Sequence, residues 1–310
     1  MDLTTAQADR AAGVLLGTAA GDALGAGYEF THPGPDRVID MIGGGAFDWA
    51  PGEWTDDTSM AIAVARGLVR AGNLHEPSGL DATAAEFVAW WDSKPADIGA
   101  QTSQVLQWRS TSGRDMQIRA HELGGLKAGN GSLMRTAPVA LGYLDDETNC
   151  GRAAALISSL THYDPQAMQA CTLWSLAIRH AVLHGDYAGV RQSLWAVDAA
   201  FWEPLLDTAE HGTPADFPKN GWVVHALQTA WWAITHTDSL PAALESAVRA
   251  GGDTDTTAAI AGGLLGARWG ASAIPERWLG LLHGYPGHRA EDLRNLTDLI
   301  LERRTGSATG

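Results

Sequence analysis

Two stretches concentrate the groups best able to do chemistry. GEWTDDTS at 52–59 carries Thr55, Asp56 and Asp57, and GGDTDTT at 251–257 carries Asp253, Asp255 and Thr256. Each holds two carboxylates within a few residues, and like charges that close repel strongly unless something compensates them. A divalent cation removes the repulsion and uses every one of these oxygens. Carboxylate and hydroxyl donors with no histidine or cysteine among them suit the hard ions Mg²⁺, Mn²⁺ or Ca²⁺ and disfavour zinc. Mg²⁺ keeps several of its waters, which leaves positions for a substrate. Taken singly, each stretch reads equally well as the start of a helix. Asp and Thr are common N-caps, and acids in a first turn are favoured by the helix dipole. Two such stretches about 200 residues apart favour convergence on one two-metal site.

Which chemistry that site would run is narrowed by spacing. A prenyl diphosphate bound through Mg²⁺ asks for DDxxD on a helix face, and here position 60 is Met60. A DxD phosphotransferase asks for an apolar strand before Asp253, whereas AALESAVRA at 242–250 reads as helix.

The elements that must position these residues are helical. Residues 10–24 and 59–70 are small and apolar nearly all round, as buried helices are. Further helices are expected at 82–92, from Pro165 with Asp164 as N-cap to about His184, along the face of Val223, Leu227, Ala230, Trp231 and Ile234, and at 256–269 and 289–303. Only RVIDMI at 37–42 is faintly strand-like, and the punctuated segment 204–220 reads as a surface loop. The expectation is an all-α fold, a compact orthogonal helical domain with a binuclear metal site at helix N-termini. It is read as one domain over 1–310, with a core over about 10–303 and a disordered tail at 304–310. Gly13, Gly17, Gly21, Gly262, Gly263 and Gly266 fall inside expected helices, each at a cost of ~1 kcal/mol against Ala. Close helix–helix approach is the natural compensation.

Composition excludes several classes. At 310 residues with 45% hydrophobic content and 13 Trp, the chain can bury a large core, so it is neither disordered nor low-complexity. No apolar run reaches the ~18 residues of a membrane span, and the opening MDLTTAQADR does not read as a secretory signal. Cys150 and Cys171 are the only cysteines, too few for a disulfide framework, so a reducing, cytoplasmic setting is expected. A net charge of −15 argues against nucleic-acid and membrane partners.

At GEWTDDTSMA and GGDTDTTAAIAGGLLGARWG the chain closely resembles the ADP-ribosylglycohydrolase family, which includes the dinitrogenase reductase-activating glycohydrolase and the ADP-ribosylarginine and ADP-ribosylserine hydrolases. The resemblance covers nearly the whole length. GVLLGTAAGDALGAGYEF at 13–30, DIG at 97–99, GNGSLMR at 129–135, LTHYDP at 160–165 and GWVVHALQTAWWA at 221–233 follow in order.

The resemblance implies an all-α hydrolase holding two Mg²⁺ or Mn²⁺ ions. Its ligands would be Thr55, Asp56 and Asp57 from the first stretch and Asp253, Asp255 and Thr256 from the second, with Asp255 bridging. Glu29 resembles an acid that contacts a metal or its water, and Asp97 the acid/base of the arginine-specific relatives. Gly129, Asn130, Gly131 and Ser132 resemble the turn approaching the distal ribose and diphosphate, and His162 a residue near the bound ADP-ribose. Two positions depart from the familiar pattern: Ala100, where arginine-type relatives often carry Asn, and Trp222, where the familiar pair is GY. Both bear on ribose or acceptor contacts, so Trp222 joins the substrate-binding set. The implied activity is removal of ADP-ribose from a modified side chain, first of all arginine, acting as a monomer on an ADP-ribosylated protein or a small ADP-ribose conjugate. An O-linked ADP-ribose hydrolase and a non-catalytic ADP-ribose binder are the alternatives. Direct displacement at the ribose and ring opening assisted by Asp97 both remain open.

Overall fold

A computed structural model describes residues 2–306. The first helix, α1 (Thr5–Gly25), opens on a capping box. The Thr4 hydroxyl accepts from Gln7 N at 3.3 Å and Gln7 Oε1 accepts from Thr4 N at 2.9 Å. After an irregular stretch with short 3-10 turns at Ala26–Tyr28 and Gly45–Phe47 come α2 (Asp56–Ala71), α3 (Pro77–Asp92), α4 (Ala100–Leu106) and α5 (Gly113–Glu122). Then follow α6 (Val139–Gly142), α7 (Glu147–Ser159), α8 (Pro165–His184), α9 (Ala188–Gln192) and α10 (Ala199–His211). The chain finishes with α11 (Val223–Thr235), α12 (Leu240–Arg249), α13 (Thr254–Trp269), α14 (Glu276–Leu281) and α15 (Ala290–Gly306). Among the described residues the only sheet is a two-residue hairpin, β1 (His283–Gly284) with β2 (His288–Arg289), so the fold is all-α.

At the centre, α1 lies along α13. A Cβ on Gly17 would sit 2.2 Å from the carbonyl oxygen of Gly262, so no side chain fits between the two backbones. The glycines interrupting both helices therefore accommodate a close crossing, as their pattern suggested. Around this pair α2, α8, α11 and α12 bury Met60, Trp174, Leu227 and Leu244 in one core. The Trp174 indole N–H is satisfied by Ile260 O of α13 at 2.9 Å.

α8 starts as expected, with Pro165 in its first turn and the Asp164 carboxylate accepting from Gln166 N at 2.8 Å. Three local expectations need correction. Residues 37–42 form no strand, because they find no ladder partner and run as irregular loop, with Ile42 N donating to Asp40 O at 2.8 Å. The first half of 204–220 is not loop. α10 continues through Pro204 to His211, held by the buried Trp202, Leu206 and Ala209, which outweigh the one hydrogen bond that proline removes. α15 runs to Gly306, three residues into the stretch expected to be a disordered tail, and 307–310 lie outside the described residues. Among the described residues no helix is long and apolar enough to cross a membrane. Both cysteines are free and buried.

Candidate metal centre and active site

The close α1–α13 crossing brings the ends of distant segments together. A Cβ on Gly25 would lie 2.4 Å from Asp255 Cα, so the last turn of α1 rests on the first turn of α13. Beyond it the chain is laced across: Phe30 N donates to Gly252 O at 2.7 Å and Gly252 N to Thr31 O at 3.0 Å. Phe30 holds a left-handed φ of 60°, a strained state for a bulky residue, and Gly251 and Gly252 take the same region without penalty. This lacing sets Glu29 opposite Asp253.

Asp22, on α1, was not singled out from the sequence and proves central. One of its oxygens accepts from the backbone N–H and hydroxyl of Thr55, both at 2.9 Å. The other accepts from Thr58 N at 2.9 Å and the Thr58 hydroxyl at 2.6 Å. Thr55, the N-cap of α2, makes no capping bond with its own side chain; Asp22 caps α2 from another helix.

Two groups of carboxylates result. Asp22, Asp57 and Asp255 each place an oxygen within 4.8 Å of the others, and so do Glu29, Asp253 and Asp255. Asp255 belongs to both. The Thr55 hydroxyl lies 3.1 Å from Asp57 Oδ2 and 3.5 Å from Asp255 Oδ2, and the Thr256 hydroxyl lies 3.5 Å from Asp57 Oδ2. The Thr55 hydroxyl has one proton and three carboxylate oxygens within reach, so most of these approaches are not hydrogen bonds. Asp57 Oδ1 and Glu29 Oε2 are buried with no partner at all. Oxygens orphaned in burial, crowded and supplied only by carboxylates and hydroxyls, fit hard divalent cations.

The electrostatics agree. Burial, then Asp97 and Asp253, push the Glu29 carboxyl up to about 9, and burial raises Asp22 to about 6. Asp56, Asp57 and Asp255 are raised well above the carboxylate range by burial and by their neighbours' charge. Asp253 is raised by burial, and so is Asp97.

Above this floor lies a cavity of about 380 Å³ lined by Glu29, Asp56, Asp97, Asp253, Asp255 and Thr256 on one side and by Gly129, Asn130, Gly131 and His162 on another. Asp57 sits beneath it, fully buried. Asn130 turns inward: its amide donates to Asp253 Oδ2 at 2.7 Å and to Asn220 O at 2.9 Å. Asn220, also missed in the sequence, accepts from Asp253 N at 3.1 Å and donates to Gly251 O at 2.8 Å, bracing the loop before α13. His162 is held neutral by burial and by Arg135. Arg135 donates to the Thr161 hydroxyl at 2.7 Å, and that hydroxyl meets His162 Nδ1 at 2.8 Å. The network assigns Nδ1 as acceptor and leaves an Nε2–H toward Gly129 and Gly131.

Two expected substrate contacts lie elsewhere. Ser132 is fully buried, accepts from the Ser158 hydroxyl at 2.9 Å and does not line the cavity. Its turn brings the backbone of Gly129 and Gly131 to the cleft while the serine side chain points into the core. Trp222 lines a neighbouring cavity, its indole N–H donating to Gln166 Oε1 at 2.9 Å. Ala100, at the first position of α4, lines the central cavity with Asp97.

The ADP-ribosylglycohydrolase family model matches residues 3–309. An ADP-ribosylarginine hydrolase of Pseudomonas putida (strain GB-1) is 33% identical over 289 residues, covering 89% of this chain and 75% of the relative. The ADP-ribosyl-[dinitrogen reductase] glycohydrolase of Rhodospirillum rubrum is 30% identical over 281 residues, covering 88% and 90%. Among solved structures, one titled an ADP-ribosylglycohydrolase-related protein complex superposes with a TM-score of 0.77 at 28% identity, covering 97% of this chain and all of that one.

Proposed function

The chain belongs to the ADP-ribosylglycohydrolase family, and from there we propose that it is a divalent-metal-dependent hydrolase releasing ADP-ribose from modified arginine side chains. The observation that carries the metal reading is the pair of carboxylate groups sharing Asp255, drawn from three segments of chain to the floor of one cleft. The arginine reading is supported by DIG at 97–99 and by the 33% identical relative named for that activity. A purely binding role is disfavoured, because clustered buried carboxylates destabilise a fold that does not use them.

Thr55, Asp56, Asp57, Asp253, Asp255 and Thr256 would hold two Mg²⁺ or Mn²⁺ ions, with Glu29 alongside. Bound there, the ions would neutralise the carboxylates, fix the ribose hydroxyls and lower the pKa of water. The rest falls to the chain's own groups. The backbone of Gly129 and Gly131 lets a ribose–phosphate chain approach without side-chain obstruction, and the His162 Nε2–H supplies one donor toward it. Asp97 stands on the cavity wall with its pKa raised, so it can keep a proton for the leaving nitrogen. As the bond from C1 of the ribose to nitrogen breaks, its electron pair goes to nitrogen, which takes the Asp97 proton. Glu29 is placed to orient the water that adds to C1, and that water's released proton restores Asp97.

The direct test is release of ADP-ribose from arginine-, serine- and acetyl-linked conjugates side by side, with Mg²⁺ or Mn²⁺ and with chelator. Metal-dependent release from the arginine conjugate is expected. Full turnover in chelator defeats the metal reading, and preference for an oxygen-linked conjugate replaces arginine as the acceptor.

A further inference from the structure

The cleft does not end at the central cavity. On one side it shares Gln101, Gly129 and Gly221 with a larger cavity of about 710 Å³ that carries Lys127, Lys219, Trp222 and His225. On the other it shares Asp56 and Asp97 with a smaller one of about 220 Å³, whose wall includes Trp49, Glu53, Trp90 and Tyr285. Charge divides along this line. The large cavity has two lysines, Lys127 and Lys219, against the single carboxylate of Asp164, whereas the small one has three carboxyl groups, those of Glu53, Asp56 and Asp97, and no lysine or arginine.

We propose that the small cavity is the acceptor subsite and receives the guanidinium-bearing side chain of the substrate; this rests on the arginine reading given above. An ADP-ribosyl-arginine is itself divided in charge. Its diphosphate leaves the ribose from C5 and its cationic guanidinium from C1, at opposite ends of one ring. With the diphosphate drawn toward Lys127 and Lys219, the guanidinium is directed past Asp97 and Asp56 into the small cavity. A planar delocalised cation is matched by the surfaces found there, the Glu53 carboxylate for its N–H fork and the rings of Trp49, Trp90 and Tyr285 for its face. The volume has room for one side chain rather than a folded surface, which selects a long, thin acceptor.

The walls of the subsite are held in place independently of substrate. Glu53 Oε2 accepts from Ala50 N at 2.8 Å, Glu53 N donates to Ala50 O at 3.0 Å, and the carboxylate makes no ion pair among the described residues. Trp54 N donates to His283 O at 2.9 Å, and its indole N–H donates to Tyr285 O at 3.2 Å, tying the Tyr285 loop to the segment that carries Glu53. Glu53 is therefore an oriented carboxylate without a cation, facing the space beside the proposed proton donor.

The experiment uses the full chain with Mn²⁺, wild type against Glu53→Gln and Tyr285→Leu. Steady-state release from an ADP-ribosyl-arginine peptide is measured, together with calorimetric binding of free ADP-ribose, which lacks the acceptor. Glu53→Gln keeps the bond to Ala50 N and removes only the charge. It should raise KM about tenfold, the worth of one charge-assisted hydrogen bond, with kcat and ADP-ribose affinity unchanged. Tyr285→Leu should raise KM in the same way. An unchanged KM in both variants, or an equal loss of ADP-ribose affinity, overturns the subsite while leaving the arginine reading intact. Failure of the wild type to release ADP-ribose from arginine would overturn that reading itself, and the subsite with it.

Discussion

One carboxylate oxygen of Asp22 takes both protons that Thr58 offers, the backbone N–H at 2.9 Å and the hydroxyl at 2.6 Å, across 36 residues of sequence. The other oxygen does the same for Thr55. The first turn of α2, and with it Asp56 and Asp57, is thus fixed to α1, whose far face is pressed on α13. One buried carboxylate aligns two halves of the candidate metal centre.

Asp22→Asn should therefore act on metal binding. An amide has a single accepting oxygen, and its NH₂ would meet a threonine N–H head on. Losses from orienting groups of this kind run to about 10–100-fold in metal affinity. Titration calorimetry with Mn²⁺ is the check, with circular dichroism to confirm that helix content survives. Unaltered affinity would reduce Asp22 to an ordinary cap.

Asp255→Asn should separate stability from function. Without cations, removing one charge from two crowded carboxylate groups relieves repulsion, so the metal-free protein should melt at a higher temperature than wild type. The stabilisation that Mn²⁺ confers on wild type should vanish in the variant. Thermal melts with and without metal read both effects, and a variant still stabilised by Mn²⁺ like wild type would remove Asp255 from the ligand set.

The metal-free protein should lose stability as pH rises. Glu29 ordinarily titrates at 4.5 and in the fold at about 9; for Asp22 the values are 3.8 and about 6. Between each pair of values the native state holds a proton that the unfolded chain has released, so stability falls with increasing pH. The loss should begin above about 4 and continue to about 9 as Glu29 ionises. Saturating Mn²⁺ should reverse the trend, since cations favour the charged carboxylates. Urea midpoints at several pH values test this, and metal-free stability that rises toward pH 9 would contradict the protonated state of Glu29.

Asp97→Asn should leave ADP-ribose binding intact and slow turnover by about 10²–10⁴-fold, the range for losing a general acid. Calorimetry and single-turnover release separate the two. Wild-type turnover would make Asp97 a wall residue only.

Much of this was legible in residue types. Paired acids with threonines ahead of small-residue apolar helices announce both helix starts and a set of oxygen donors suited to hard cations, because the same oxygens serve either purpose. Gly17 and Gly262 announce a close crossing, because nothing else justifies glycine in mid-helix. Other features could not be read locally. Asp22 lies in a stretch that is apolar on every side, and only its four donors from α2 distinguish it. Asn220 sits in a loop where asparagine is commonplace. Ser132 shares a turn with Gly131, yet its side chain goes to Ser158, a direction set by the packing of α7 against that turn. The 37–42 segment has strand-like residues and no partner strand.

By itself, then, the order of residues determined the helical class, the approximate helix ends and the kind of ion the acids suit, since periodicity, caps and donor hardness are properties of short stretches of chain. Which carboxylate stands beside which, that Asp255 joins both groups, and that Lys127 and Lys219 stand at one end of the cleft and Glu53 with Trp49, Trp90 and Tyr285 at the other were decided only in three dimensions. The reason is physical: repulsion, hydrogen bonding and shared cavities depend on distances of a few ångströms, and those distances are set by how α1 meets α13 rather than by any spacing along the chain.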